Sequence, residues 1–209
     1  MSGWVILALL AAVTLGHPDV ASAFPAVSVD DIDGVIATVD HLADLGHRSI
    51  AHVAGSPEML HASRRGAAFE RACERRGIAH RVVDTDFSAR QGAEATRALI
   101  ADAATRPTAI CYSNDVMALA GIAVAQRGGL SVPGDLSIAG FDDTEIARHV
   151  YPSLTSVATD VVEWGAAAAR TLLAAIAGDE LDDSELAPAH LVVRESTGAA
   201  PAPRRDTPS

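Results

Sequence analysis

An α/β fold, a mostly parallel sheet flanked by helices, is what this sequence predicts, and three observations carry the prediction. From residue 26 onward, strand-like and helix-like segments alternate. The helical segments run about 10–15 residues, the length of a crossover between parallel strands. The connections leave no room for hairpins, so successive strands must run the same way.

Each element has its own reason. Ala26–Val29 is a short apolar strand ending in Asp30-Asp31. Asp33–Leu45 sets Val35, Val39, Leu42 and Leu45 at helical spacing and stops at Gly46. Ser49–Ala54 reads as a strand. Ser63–Arg76 is helical, with Phe69, Ala72 and Cys73 on one face and Gly77 just past its end. His80–Asp84 is a strand, Ala89–Ala104 a helix, and Thr108–Ser113 a strand after Pro107. Asn114 is placed to cap a helix over Asp115–Arg127, which Gly128-Gly129 closes. Leu136–Ala139 is a strand. After Thr155 come a long helix over Asp160–Ala177, an acidic loop Asp179–Glu185 and a last strand His190–Arg194. Ser196 onward, rich in Gly, Pro, Ala and Arg, reads as a frayed tail.

The stretch Val116–Ala125 carries no polar residue on any face. A helix apolar all round is buried all round. Helices in an open α/β sheet cover its faces, so the outer side of this one needs a further cover. A partner subunit is the simplest cover, and the chain's own C-terminal segments are the alternative.

At 209 residues and 21.5 kDa the chain is one large domain or two small ones. With 49% hydrophobic and 21% charged residues and a mean hydropathy of +0.20, it is neither disordered nor fibrous. A net charge of -11 and a pI near 5.0 give no electrostatic footprint for phosphate backbones, so DNA binding by this chain alone is not expected. Cys73 and Cys111 are too few and too far apart for a disulfide framework or a thiolate zinc site. The apolar run Trp4–Leu15 with Ala21-Ser22-Ala23 has the form of a secretory leader and its cleavage site. No Lys or Arg precedes Arg48, however, and a leader wants a basic start. The run is also short of the roughly 20 residues that span a bilayer. A helix end and strand, then a His17-Pro18-Asp19 turn, is the preferred reading.

In open parallel sheets, ligands bind at the carboxyl ends of the strands, where helix N-termini point into the crevice. The residues following each strand are therefore the candidates. They include Gly55-Ser56-Pro57-Glu58 and then Arg64-Arg65; Thr85-Asp86-Phe87-Ser88; Asn114-Asp115; and Gly140-Phe141-Asp142-Asp143. An arginine, an aromatic, an amide and carboxylates on one edge suit a hydroxyl-rich ligand. Carboxylates and amides take paired hydroxyls, a guanidinium donates from a planar fork, and a ring covers the C–H face. Each has a purely structural reading too: Asn114 as a helix cap, Asp142 or Asp143 as cap of the turn before Thr144, Phe87 as a core aromatic. Arg64 and Arg65 sit in the first turn of their predicted helix, where acids are electrostatically preferred, so at least one has a further task.

Catalytic patterns are missing from the sequence. There is no Gly-x-Gly-x-x-Gly after a strand, no Gly-x-x-x-x-Gly-Lys-Ser/Thr and no Gly-x-Ser-x-Gly. The eight His show no metal-ligand spacing. An enzyme, a cofactor and a metal are therefore not expected.

Several blocks, in order, are similar to the effector-binding region of the LacI/GalR family of bacterial transcriptional regulators. They begin with Leu45-Gly46-His47-Arg48-Ser49-Ile50, then Gly55, then Arg65 with Phe69. Asp86-Phe87, Arg106-Pro107-Thr108-Ala109 and Asn114-Asp115-Val116-Met117-Ala118 follow. The series continues with Val132-Pro133-Gly134-Asp135-Leu136-Ser137-Ile138-Ala139-Gly140-Phe141-Asp142-Asp143. Pro152-Ser153-Leu154-Thr155-Ser156-Val157 and Leu191-Val192-Val193-Arg194-Glu195-Ser196 complete it, over roughly residues 24–198.

The resemblance implies a periplasmic-binding-protein-like fold, a homodimer through the C-terminal lobe, and a small effector, usually a sugar and less often a purine. Arg65 matches the arginine that donates to the effector, and Phe87 the aromatic that stacks on it. Asn114 and Asp142 match the amide and carboxylate that take its polar groups. His61 sits where a smaller hydroxyl residue is common, and Thr159 where some sugar-binding members carry an amide. Family members begin with a helix-turn-helix, a hinge helix and the first half of an N-terminal lobe, which these residues do not match. The expectation is thus one complete lobe plus a partial second. Residues 1–29 are a remnant of the N-terminal lobe, 30–157 the C-terminal lobe, and 158–180 a helix rejoining the first. Residues 181–198 hold the final strand and 199–209 a disordered tail. The function expected is a cytoplasmic effector-binding domain without its DNA-binding head, with no membrane association. The alternative is a secreted sugar-binding protein of a transporter with the same two-lobe architecture.

Overall fold

The computed structural model describes residues 12–15, 24–179 and 182–202. The predicted helix end ahead of Thr14, the turn at 17–19, the cleavage pattern at 21–23 and the last residues of the tail lie outside the described residues. In chain order the elements are β1 (Thr14–Leu15), β2 (Ala26–Val29), α1 (Ile32–Asp44), β3 (Ser49–Val53), α2 (Leu60–Arg76) and β4 (Ala79–Val83). Then come α3 (Ala89–Ile100), β5 (Ala109–Tyr112), α4 (Asp115–Arg127), β6 (Ser137–Phe141), a 3-10 turn Glu145–Arg148 and β7 (Thr155–Ala158). The series ends with α5 (Val161–Ala177), β8 (Ser184–Leu186) and β9 (His190–Val192). The chain divides into two units, Met1–Asp30 with Asp160–Pro188, and Asp31–Thr159 with Ala189–Ser209.

The larger unit is a six-stranded sheet ordered β4-β3-β5-β6-β7-β9, parallel except for β9, which runs against β7. Successive residues face opposite sides of a strand, so each strand feeds two cores. Ile50 and Cys111 pack with Leu42, Phe69 and Ala72 under α1 and α2. Ala51 and Ile110 pack with Met117, Ile122 and Leu99 under α3 and α4. Gly46 and Gly77 end α1 and α2 at φ 93° and 64°. In each case the next amide reaches back to close the helix, His47 N to Leu42 O at 3.0 Å and Ile78 N to Cys73 O at 2.9 Å.

Helix α2 begins at Leu60, a turn ahead of the expected Ser63, which moves Arg65 out of the first turn. Helix α3 stops at Ile100 rather than Ala104, because the Asp102 carboxylate accepts from Ala104 N and Thr105 Oγ1 and offers the backbone a turn instead. Strand β7, Thr-Ser-Val-Ala, has too little apolar character to be read from sequence. It is nonetheless fully buried, with Thr155 and Ser156 hydroxyls bonded to Thr197 Oγ1 and Asp115 Oδ1.

The frayed tail expected from Ser196 is corrected. Ser196 is buried, Ile138 N donates to its carbonyl at 2.8 Å, and its hydroxyl accepts from Thr155 N. Gly198 N bonds Ser137 Oγ and Ala200 N bonds Leu45 O. Buried backbone groups at that end of the sheet need partners, and the tail supplies them.

Within the chain, Val116–Ala125 is covered on one side only, which leaves its outer side for the further cover expected from the sequence. Met117, Ala118, Gly121, Ile122, Val124 and Ala125 are covered by the chain itself. Val116 is 51% exposed, and Leu119, Ala120 and Ala123 on the same side are half-buried.

The smaller unit carries a parallel sheet ordered β1-β2-β8. Strand β8 lies inside what was expected to be an acidic loop, where Asp183 Oδ1 accepts from Ala26 N at 2.7 Å and fixes its register. Helix α5 is capped by Asp160 and held to β2 by Trp164 Nε1 donating to Val27 O at 3.0 Å.

Candidate functional site

In the larger unit the strand order reverses between β3 and β5, since β4 lies on one side of β3 and β5 on the other. Loops leaving strands on either side of such a switch point diverge and open a crevice. The five sequence-predicted residues belong to α2 and to the loops that follow β4, β5 and β6.

Arg65 is anchored first. Its Nε donates to Asp31 Oδ2 at 2.6 Å, and its guanidinium lies 3.7 Å over the Phe141 ring. The ion pair fixes one edge of the planar group and the ring fixes its plane, with only 14% of the side chain exposed. Beneath it, His52, Phe69, Ser113 and Phe141 help line a cavity of about 20 Å³, room for a water and far too small for a sugar.

Phe87 is half-buried and takes φ 64°, a left-handed conformation that a bulky residue adopts only when its surroundings impose it. Its amide donates to Thr85 Oγ1 at 3.3 Å, and Ser88 N to Asp86 Oδ1 at 3.0 Å. Its ring lies on Gly55, where an added Cβ would come within 1.8 Å of Cζ. His61 stacks beside it, ring centroids 5.5 Å apart. Partial burial and the nearby Arg65 charge lower the His61 pKa, against a smaller opposing pull from Asp31. The ring is therefore neutral at pH 7.

Asn114 caps α4, its Oδ1 accepting from Met117 N at 2.8 Å. Its Nδ2 donates to Phe87 O at 3.0 Å. Asp142 and Asp143 form a second left-handed stretch at φ 107° and 47°. The Asp143 carboxylate is taken by Arg194 and Arg148. The cap before Thr144 is neither of these aspartates but Asp115, which accepts from Thr144 N at 2.7 Å. Asp142 is exposed as a residue, but its carboxyl is partly desolvated. Desolvation, with Asp115 nearby, raises its pKa to about 6, and Arg65 opposes the rise.

The five residues fall into two groups, His61, Phe87 and Asn114 in contact and Arg65 with Asp142, with the Arg65 charge also felt by His61. His61 touches Phe87, Phe87 is held by Asn114, and Arg65 and Asp142 sit within electrostatic reach of one another. Sequence reasoning placed Asp115 and Phe141 among the strand-end candidates without giving either a role, and did not nominate Asp31 for the site. Asp115 at the first position of a helix reads as a favourable dipole interaction, and only the fold shows that its carboxylate is fully buried. Among the described residues no group of three or more His, Cys, Asp or Glu is arranged to hold a metal. Among the same residues, no helix is long and apolar enough to cross a membrane.

Residues 39–197 match the family described as periplasmic binding protein-like domain. The HTH-type transcriptional regulator DegA of Bacillus subtilis is 37% identical over 175 residues, covering 82% of this chain and 51% of DegA. The chain spans about half the length of the curated relatives it matches. Among solved structures, a LacI family transcriptional regulator from Bifidobacterium animalis superimposes with a TM-score of 0.85 at 38% identity, over 90% of this chain and 69% of that one. A LacI family regulator from Enterococcus faecium with bound ribose gives 0.80 at 28% identity, over 90% and 70%.

Proposed function

Since the chain belongs to the periplasmic binding protein-like domain family of LacI-type transcriptional regulators, we propose that it binds a saccharide effector at the β3/β5 switch point. The observation that carries the reading is the pair of left-handed residues, Phe87 and Asp142, the latter within electrostatic reach of the anchored Arg65. The Phe87 ring covers a C–H face, Asp142 accepts paired hydroxyls, and the remaining Arg65 N–H groups donate. His61 extends the aromatic surface. Nothing in this set activates a nucleophile, so the role is binding without turnover.

As a LacI-type domain the protein acts in the cytoplasm and answers its effector with a change of conformation. The relatives are named as regulators, which favours this reading over a secreted transporter component. The uncovered side of α4, Val116 with Leu119, Ala120 and Ala123, pairs with a second copy of the chain. DNA contact is not among the functions of these residues, given the net charge of -11.

Calorimetry and thermal shift with ribose and a panel of other saccharides test the proposal. Saturation at a hundredfold over Kd adds roughly 2.7 kcal/mol to stability. Phe87→Ala and Asp142→Asn each cost about 1–3 kcal/mol of binding, the loss of a packed aromatic or a charged hydrogen bond. A saccharide bound equally well by both variants refutes the site.

A further inference from the structure

We propose that Asn114 and Asp115, the cap and first residue of α4, are positioning residues that hold Phe87 and Asp142 in left-handed backbone conformations. The functional consequence rests on the effector-site reading above. The conformational claim rests on hydrogen bonds within the chain.

Non-glycine residues at positive φ persist only where neighbours fix them. Three of them occur among the described residues: Phe87 is bonded directly to Asn114, Asp143 is bonded to Asp115 through Ser156, and Asp142, between Phe141 and Asp143, bonds Val157 O. For Phe87 the link is the Asn114 amide. Its oxygen accepts from Met117 N at 2.8 Å while its nitrogen donates to Phe87 O at 3.0 Å. An amide offers an acceptor and a donor from one planar group. Aspartate at this position caps the helix equally well but has no donor for the loop, and the serine hydroxyl is one bond shorter than the Asn114 Nδ2 that reaches Phe87 O.

For Asp142 the link is indirect: it runs through Asp143 and Thr144, the residues that follow it, to the Asp115 carboxylate, which is acceptor-only when ionised and fully buried. It takes Thr144 N at 2.7 Å, Thr144 Oγ1 at 2.8 Å and Ser156 Oγ at 2.6 Å. Ser156 Oγ in turn accepts from Asp143 N at 3.1 Å, and Asp142 N donates to Val157 O at 2.9 Å. The dipeptide is therefore pinned on both sides. Gly140 leaves the space this requires, since an added Cβ would lie 2.3 Å from Asp115 Oδ1. One helix start thereby sets both the ring and the carboxylate that face the ligand.

The test uses the full 209-residue chain, first without ligand. Amide-to-Hα couplings and carbon shifts report the backbone of Phe87, Asp142 and Asp143, and ring-current shifts of His61 report its stacking on Phe87. Asn114→Asp keeps the cap and removes the donor, and Asn114→Ser keeps the cap and draws the donor back from Phe87 O by one bond. Both move Phe87 out of the left-handed region and shift the His61 signals, with α4 intact and Asp142 unchanged. Asp115→Asn and Ser156→Ala do the converse, altering Asp142 and Asp143 while Phe87 stays. With ribose as probe, Asn114→Ser and Asp115→Asn each weaken binding about fivefold to tenfold, the scale of one lost hydrogen bond. Unchanged couplings in folded variants overturn the proposal. If wild-type protein binds neither ribose nor any other saccharide, the effector reading falls, while the couplings still decide the positioning.

Discussion

Alanine in place of Gly66 and in place of Gly92 is the same chemical change in two helices of the larger unit, yet the structure separates their effects. In a helix interior, replacing glycine by alanine gains about 1 kcal/mol. At Gly66 in α2 the added Cβ meets nothing within 4 Å, so the gain stands. At Gly92 in α3 the added Cβ lies 2.7 Å from Met117 Cβ and 2.9 Å from Met117 Cα. A backbone atom cannot swing aside, so α3 and α4 must part, at a cost of about 1–3 kcal/mol for overpacking. The propensity gain cancels between the two variants, which leaves a stability gap of about 1–3 kcal/mol in favour of Gly66→Ala. For a chain of this size each kcal/mol moves the midpoint by roughly 2–4 °C. Urea titration by far-UV circular dichroism, with hydrogen exchange of the β5 and β6 amides, reads the gap in the larger unit. Trp164 lies in the smaller unit, so its fluorescence is the wrong probe. Equal stability of the two variants, or a more stable Gly92→Ala, refutes the close approach of α3 and α4.

The proposed saccharide site predicts an affinity that depends on pH through Asp142, whose pKa is about 6, with Asp115 and Arg65 as its charged neighbours. A ligand hydroxyl donates to the ionised carboxylate, so affinity approaches its full value above about pH 7, is about half of it at pH 6, and falls about tenfold between pH 7 and pH 5. Titrations across that range in wild type and Asp142→Asn check it; a variant with the same pH dependence rejects the assignment. Leu119→Asp on the half-buried side of α4 converts a dimer to a folded monomer by sedimentation, and a wild-type monomer at high micromolar concentration contradicts the interface. Ile122, only 5% exposed within the chain, is the wrong position for that experiment, because Asp there disrupts the fold itself. The purified chain does not retard DNA in gel assays at low salt, and sequence-specific retardation overturns that expectation.

The sequence by itself determined the alternation of strands and helices, the ends of α1 and α2, and the capping of α4 by Asn114. These are local matters: periodicity, a glycine free to take positive φ, and a side chain three residues from the amide it caps. The ordered blocks also nominated Arg65, Phe87, Asn114, Asp142 and His61 as site candidates. Partners distant in sequence were not legible. Strand β7 is nearly as polar as a loop and is buried because Thr197 and Asp115 answer its hydroxyls. The segment around Ser196 is loop-like in composition and is locked by Ile138 and Thr155. Which side of α4 lies open depends on where α3 and the sheet press, since the helix itself is apolar throughout. Above all, Asn114 and Asp115 look like an ordinary helix start, and only the tertiary structure brings Phe87 O, Thr144 and Ser156 to them. Hydrogen bonds between residues 27, 29 and 41 positions apart leave no periodic trace in a sequence, and they are what fix the site.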